Sequence, residues 1–177
     1  MKRSLSILVL CVSAAVCLGQ TWSDRRPAAG SLLLASFDQG NSTDRSPVNA
    51  SPTVGSGVSY NTRCADFDGN ATNGTVTYPE NTLYREPPLT VCAWVKIDTY
   101  TSYRLIVGKV NQTGTQTTGW QMYYGPGISR GLAFGHSTNN ANYRQAWTAS
   151  GGLSAGTWYH VAATLSAKNA TAALYIN

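Results

Sequence analysis

Short apolar or alternating stretches recur along this chain, separated by clusters of Gly, Asn, Thr, Ser and Pro. Apolar spacing of 3.6 residues is missing, so the pattern predicts strands rather than helices, and a sandwich or barrel rather than βαβ units. The predicted strands are 31–37, 63–67, 75–78, 89–97, 104–109, 119–124, 131–136, 145–149, 157–166 and 172–176. Residues 38–60 read as a long polar loop containing Pro47 and Pro52. Alternation is clearest in TVCAWVKI: Val91, Ala93 and Val95 share one face, and Cys92, Trp94 and Lys96 the other. WYHVAATL is apolar on both faces, as an inner strand of a two-layer sandwich would be. Gly125-Pro126-Gly127 is a turn signal.

The N-terminus follows different rules. Lys2 and Arg3 precede the apolar run Leu5 to Val16, and Cys17-Leu18-Gly19 offers small residues for cleavage. These are the parts of a secretory signal, expected to span residues 1–19 and to be removed after Gly19. The apolar run is short for a membrane span, and none is expected elsewhere. Residues 20–30 form a polar lead-in, and 31–177 one domain large enough for its own core. The last strand, ALYIN, runs to Asn177 without a closing turn, so a further hairpin is expected to be missing.

Removing the signal lowers the basic count from 13 to 11 against 8 acidic residues, a net charge of +3. The cations are scattered, which argues against a nucleic-acid surface. Cys11 and Cys17 leave with the signal, and the remaining even pair, Cys64 and Cys92, is expected to form a disulfide in an exported domain. Six Asn-x-Ser/Thr sequons, at Asn41, Asn49, Asn70, Asn73, Asn111 and Asn169, fit the same extracellular address and are expected to carry glycans in a eukaryotic host. Asn70 and Asn73 are too close for both to be modified efficiently.

The order of SLLLASFDQG, RCADFDGN, LTVCAWVKID, YRLIVGKV, GWQMYYGPG, RGLAFGHS, LSAGTWYHVAATLS and ALYIN resembles the strands of LamG-like jelly-roll domains. These belong to the concanavalin A-like lectin/glucanase superfamily, with laminin G and pentraxin domains as relatives. The segments with the most specific likeness are the one from Leu153 to Asn177 and FDGN followed by VCAWVK. The resemblance implies an all-β, two-sheet antiparallel jelly-roll sandwich, incomplete at the C-terminus. It also implies that Trp94 and Trp158 pack in the core.

Glucanases of this superfamily use an E-x-D-x-(x)-E strand, because hydrolysis needs two carboxyls about 5–9 Å apart across the scissile bond. The only glutamates here, Glu80 and Glu86, lie in a proline-bounded loop, and no E-x-D occurs. No strand-to-helix nucleophile elbow accompanies the two histidines, since no helix is predicted. The domain is therefore expected to be non-catalytic. The resemblance implies calcium at the rim, with Asp38, Asp68 and Asn70 as the oxygen donors and Asp66 and Asn73 nearby; the bare residues read Asp68-Gly69-Asn70 as a turn. Aromatics beside amides and hydroxyls point to sugar stacking. The candidates are Trp120, Tyr123, Tyr143 and Trp147, with His136 at the rim.

These readings describe a secreted or cell-surface module that recognises glycans or an extracellular protein. The alternatives are an accessory carbohydrate-binding module or fragment of a larger secreted enzyme, and a structural adhesion domain without a small ligand.

Overall fold

The computed structural model describes residues 33, 35, 37, 40–61, 64–70, 72–81, 84, 88–98, 103–113, 116–125, 131–137, 143–148, 152–166 and 171–177. The expected signal and lead-in lie outside them, as do Asp38, Glu86 and Asn169. So do the side chains of Asn111 and Tyr143.

The chain is built from antiparallel strands, with no α-helix among the described residues. The strands are β1 (Thr53–Val54), β2 (Val58–Tyr60), β3 (Ala65–Phe67), β4 (Val76–Thr77), β5 (Leu89–Lys96) and β6 (Arg104–Thr113). They continue with β7 (Gln116–Gly125), β8 (Gly131–Ser137), β9 (Tyr143–Trp147), β10 (Trp158–Leu165) and β11 (Ala172–Ile176). One sheet has the order β6-β7-β8-β9 and the other β11-β10-β5, while β1-β4 and β2-β3 form short ribbons. β11 packs across β8 and β9, which sets the two larger sheets face to face. The architecture is a jelly-roll-type sandwich.

The alternation read in β5 and β10 explains the core. Val91, Ala93 and Val95 of β5 and Val161, Ala163 and Leu165 of β10 are buried. From the other sheet come Val107, Met122, Leu132 and Phe134, all without exposed surface. Dense, largely aliphatic packing of this kind supplies most of the stabilising free energy of such a domain.

Two sequence expectations change. The 38–60 stretch is not featureless, because β1 and β2 lie in it and pair with β4 and β3. Asp44 organises its first half. Its Oδ1 accepts the Ser46 amide at 2.8 Å, and its Oδ2 accepts the Ser46 hydroxyl at 2.9 Å and the Ala50 amide at 2.8 Å. Asn49 takes a left-handed conformation, φ 48°, to close the turn. Tyr78 donates its hydroxyl to the Ser42 carbonyl at 2.6 Å, tying this loop to the chain beyond β4. Of the expected first strand, Ala35 bridges Asp44 and Phe37 is fully buried.

The expected disulfide is not formed. Cys64 is a buried free thiol before β3, whereas Cys92 is a free thiol on the exposed, outward face of β5. The alternation that buries Val91 and Ala93 turns the side chain between them outward. Cys64 instead accepts a 2.9 Å contact from the Asn61 amide nitrogen.

Candidate functional site

The outward face of the four-stranded sheet gathers the most exposed aromatic surface. Register sets its membership. Tyr123 of β7 stands opposite Leu105 of β6 and Ala133 of β8, and Ala133 stands opposite Trp147 of β9. Gln121, Gly135 and Gln145 form the next row. Trp147 is 63% exposed, Tyr103 56% and Leu105 38%, an apolar band on a surface that could otherwise be polar.

A bulge creates part of this band. The β6–β7 register shifts between Leu105 and Val107, so Leu105 faces outward with Tyr123 while Val107 faces the core with Met122. Without the extra residue, positions 105 and 107 would share one face; re-aiming a side chain is a common use of a bulge.

Small residues let the large ones lie down. A Cβ on Gly125 would sit 2.5 Å from the Tyr103 ring, so that ring rests on the Gly125 backbone. The Tyr103 and Tyr123 rings are 6.2 Å apart and tilted by 54°. Gln145 donates its side-chain amide to the Tyr123 hydroxyl. The described side chains in these two rows carry no formal charge.

The structure separates the aromatics that the sequence grouped. Tyr123 and Trp147 share the outward face. Trp120 and His136 are paired on the opposite, core-facing side and are each 6% exposed. The Trp120 indole donates to the Tyr84 carbonyl at 2.6 Å, and its ring tilts against Phe134. Beside it, Lys109 is buried in an ion pair with Glu80 at 2.6 Å. Tyr143 pairs with Ser137 in the ladder. Sequence reasoning missed Tyr103, Leu105, Gln121 and Gln145. The readable signal was the alternation of small residues at 131, 133 and 135 between Leu132 and Phe134.

Trp94, expected in the core, is half-buried on the outward face of the other sheet, its ring 5.4 Å from that of His160. Trp158 does pack against the core, with the Lys96 ammonium 5.9 Å from its ring centre.

At the rim, Asp68 and Asn70 make a turn. Asp68 Oδ1 accepts the Asn70 amide, and Asn70 Oδ1 accepts those of Thr72 and Asn73. Gly57 and Gly74 leave room for the Asp68 carboxylate, which an added Cβ at either position would meet within 2.3 Å. No group of three or more His, Cys, Asp and Glu among the described residues is placed to hold a metal. Asn49, Asn70 and Asn73 are exposed and Asn41 is half-buried. No helix among the described residues is long and apolar enough to cross a membrane.

A family profile described as concanavalin A-like lectin/glucanases superfamily, Laminin_G_3, matches residues 68–177. The chain belongs to this superfamily. A solved structure, the binding domain of Paraclostridial Mosquitocidal Protein 1, superposes with a TM-score of 0.60 at 17% identity. The match covers 81% of this chain and 37% of that one, and it shows likeness of fold. A search of curated proteins finds no match.

Proposed function

We propose that this concanavalin A-like domain is a non-catalytic recognition module that binds neutral glycans on the outward face of its four-stranded sheet. The observation that carries the reading is the band of Tyr103, Leu105, Tyr123 and Trp147 beside the amides of Gln121 and Gln145. Aromatic faces stack on the C–H faces of sugar rings, while amides exchange hydrogen bonds with hydroxyls. The uncharged rows favour a neutral ligand over an acidic one. The superfamily and a structural neighbour titled a binding domain support the binding role. The N-terminal signal pattern and the sequons support an extracellular site of action.

A glycan array probed with the secreted domain, with and without calcium, tests the proposal. Binding to neutral oligosaccharides in both conditions is expected. Uniform non-binding defeats the reading, and binding only with calcium moves the site to the Asp68 rim.

A further inference from the structure

The surface that a ligand can reach is unevenly spread over the outward face of the four-stranded sheet. Strand β8 contributes only Gly131, Ala133 and Gly135 there, and all three are buried. Tyr123 of β7 is half-buried, its hydroxyl held by Gln145. The accessible rings lie to either side of it: Tyr103 is 56% exposed and Trp147 63%.

Both rings are held in place by the fold itself. Tyr103 precedes β6 and leans over β7, where a Cβ on Gly125 would meet its ring atoms at 2.5 and 2.9 Å. The Arg104 guanidinium donates to the Tyr103 carbonyl at 3.2 Å. Trp147 ends β9, and Thr148 clamps the chain just beyond it. The Thr148 amide donates to the Leu132 carbonyl and its hydroxyl accepts the Leu132 amide, both at 2.9 Å. Groups fixed in advance lose little freedom on binding. Register also sets the distance between the two rings. Gly125 pairs with Gly131, and two residues further along β8 Ala133 pairs with Trp147. Gly125 and Trp147 are therefore two strand spacings and one row apart, about 12 Å. One sugar ring cannot cover both.

We infer that Tyr103 and Trp147 are two separate stacking platforms for one ligand, a linear neutral oligosaccharide of at least three sugars that crosses the strands obliquely from β7 to β9. The inference rests on the glycan-binding reading and adds the ligand's length, its direction and Tyr103 as a second determinant of affinity. Adjacent rings of a sugar chain sit closer together than the two platforms, so at least one sugar lies between those that stack. That middle sugar passes over Tyr123 and Gln145, whose amide can hydrogen-bond its hydroxyls.

Calorimetric titration of wild type, Tyr103→Ala and Trp147→Ala with mono- to tetrasaccharides of the glucose, N-acetylglucosamine, galactose and mannose series tests this, with a thermal melt of each protein. For at least one series, wild-type affinity should rise about tenfold between the disaccharide and the trisaccharide. Each variant should lose that step and melt as wild type does. Tyr103→Leu keeps bulk over Gly125 without the aromatic face, so it should lose the step as well and guards against a folding defect in Tyr103→Ala. A wild type that gains nothing beyond the disaccharide, or a step retained by Tyr103→Leu or by Trp147→Ala, overturns this inference while short-ligand binding leaves the glycan-binding reading standing. If no series binds wild type, that reading falls and this inference falls with it.

Discussion

Gln145 and Tyr123 lie on strands separated by β8, yet the Gln145 amide donates to the Tyr123 hydroxyl across it. The contact forms because the intervening strand presents Ala133 and Gly135 on that face, so neither side chain meets an obstacle. Polar groups already satisfied by each other can exchange that bond for one with a ligand at little net cost. Tyr123→Phe keeps the ring and removes the bond, so it should retain the melting temperature within about 1 kcal/mol of stability. A thermal melt checks this, and a larger loss would mean that the bridge holds the sheet together.

Asp44 is the most consequential polar group of the fold that the sequence pattern did not reveal. It is 1% exposed and satisfies two backbone amides and a hydroxyl. Asp44→Ala leaves those donors buried and unpaired, so a loss of about 3 kcal/mol is expected. Urea unfolding measures it directly. A loss below about 1 kcal/mol would contradict the role assigned to Asp44.

The buried Lys109 depends on Glu80. Glu80→Ala should destabilise the domain by about 2–4 kcal/mol, because it strands a buried ammonium. The double variant with Lys109→Met should recover much of that loss. A double-mutant cycle by urea unfolding reads the coupling, and strictly additive losses would contradict it.

Alkali should weaken the fold through its buried tyrosines. Burial raises Tyr78 far above the usual value of 10.0, with nearby Asp44 adding to the effect, and burial also raises Tyr84 and Tyr124. Groups whose folded pKa is raised contribute stability that is complete below pH 10 and lost as pH rises beyond it, since the unfolded chain ionises first. Tyr159, whose hydroxyl accepts the Ser154 amide, shifts downward and opposes part of this loss. Stability measured from pH 8 to 11 should therefore be flat at first and then fall. A rise above pH 10 would contradict the assignment.

Both cysteines of the described domain should be present as thiols. Alkylation followed by peptide mapping should modify exposed Cys92 in the native protein and Cys64 only after unfolding. Partial desolvation by its neighbours on the sheet face raises the Cys92 thiol above its usual 9.0, so its labelling should be slow at neutral pH and accelerate in alkali. A reductant-dependent melting temperature with no native labelling would instead indicate a bridge.

The sandwich was legible because runs such as TVCAWVKI combine strand length with strict alternation, and that phase survives in β5. The polar ends of β6 and β7 were not, because residues 111–113 and 116–118 are all polar and extend the ladder by backbone pairing. The site was half legible. In GWQMYYG, aromatics occur at both parities, so alternation alone could not say whether Trp120 or Tyr123 faces out. The core pairing of Met122 with Phe134 decides it. Leu105 was hidden by the bulge, which reverses its phase relative to Val107. The disulfide expectation rested on count and compartment, whereas alternation in β5 already placed Cys92 opposite the buried Val91 and Ala93.

The most direct test of glycan recognition compares Trp147→Ala with Trp94→Ala, by calorimetry against the strongest neutral ligand from the array. Trp147 is a well-exposed ring on the proposed face, and Trp94 lies on the outward face of the opposite sheet. Trp147→Ala should lower affinity tenfold or more, about 1.4 kcal/mol, with its melting temperature unchanged, while Trp94→Ala should bind as wild type does. Undiminished binding by Trp147→Ala together with loss in Trp94→Ala would contradict the account.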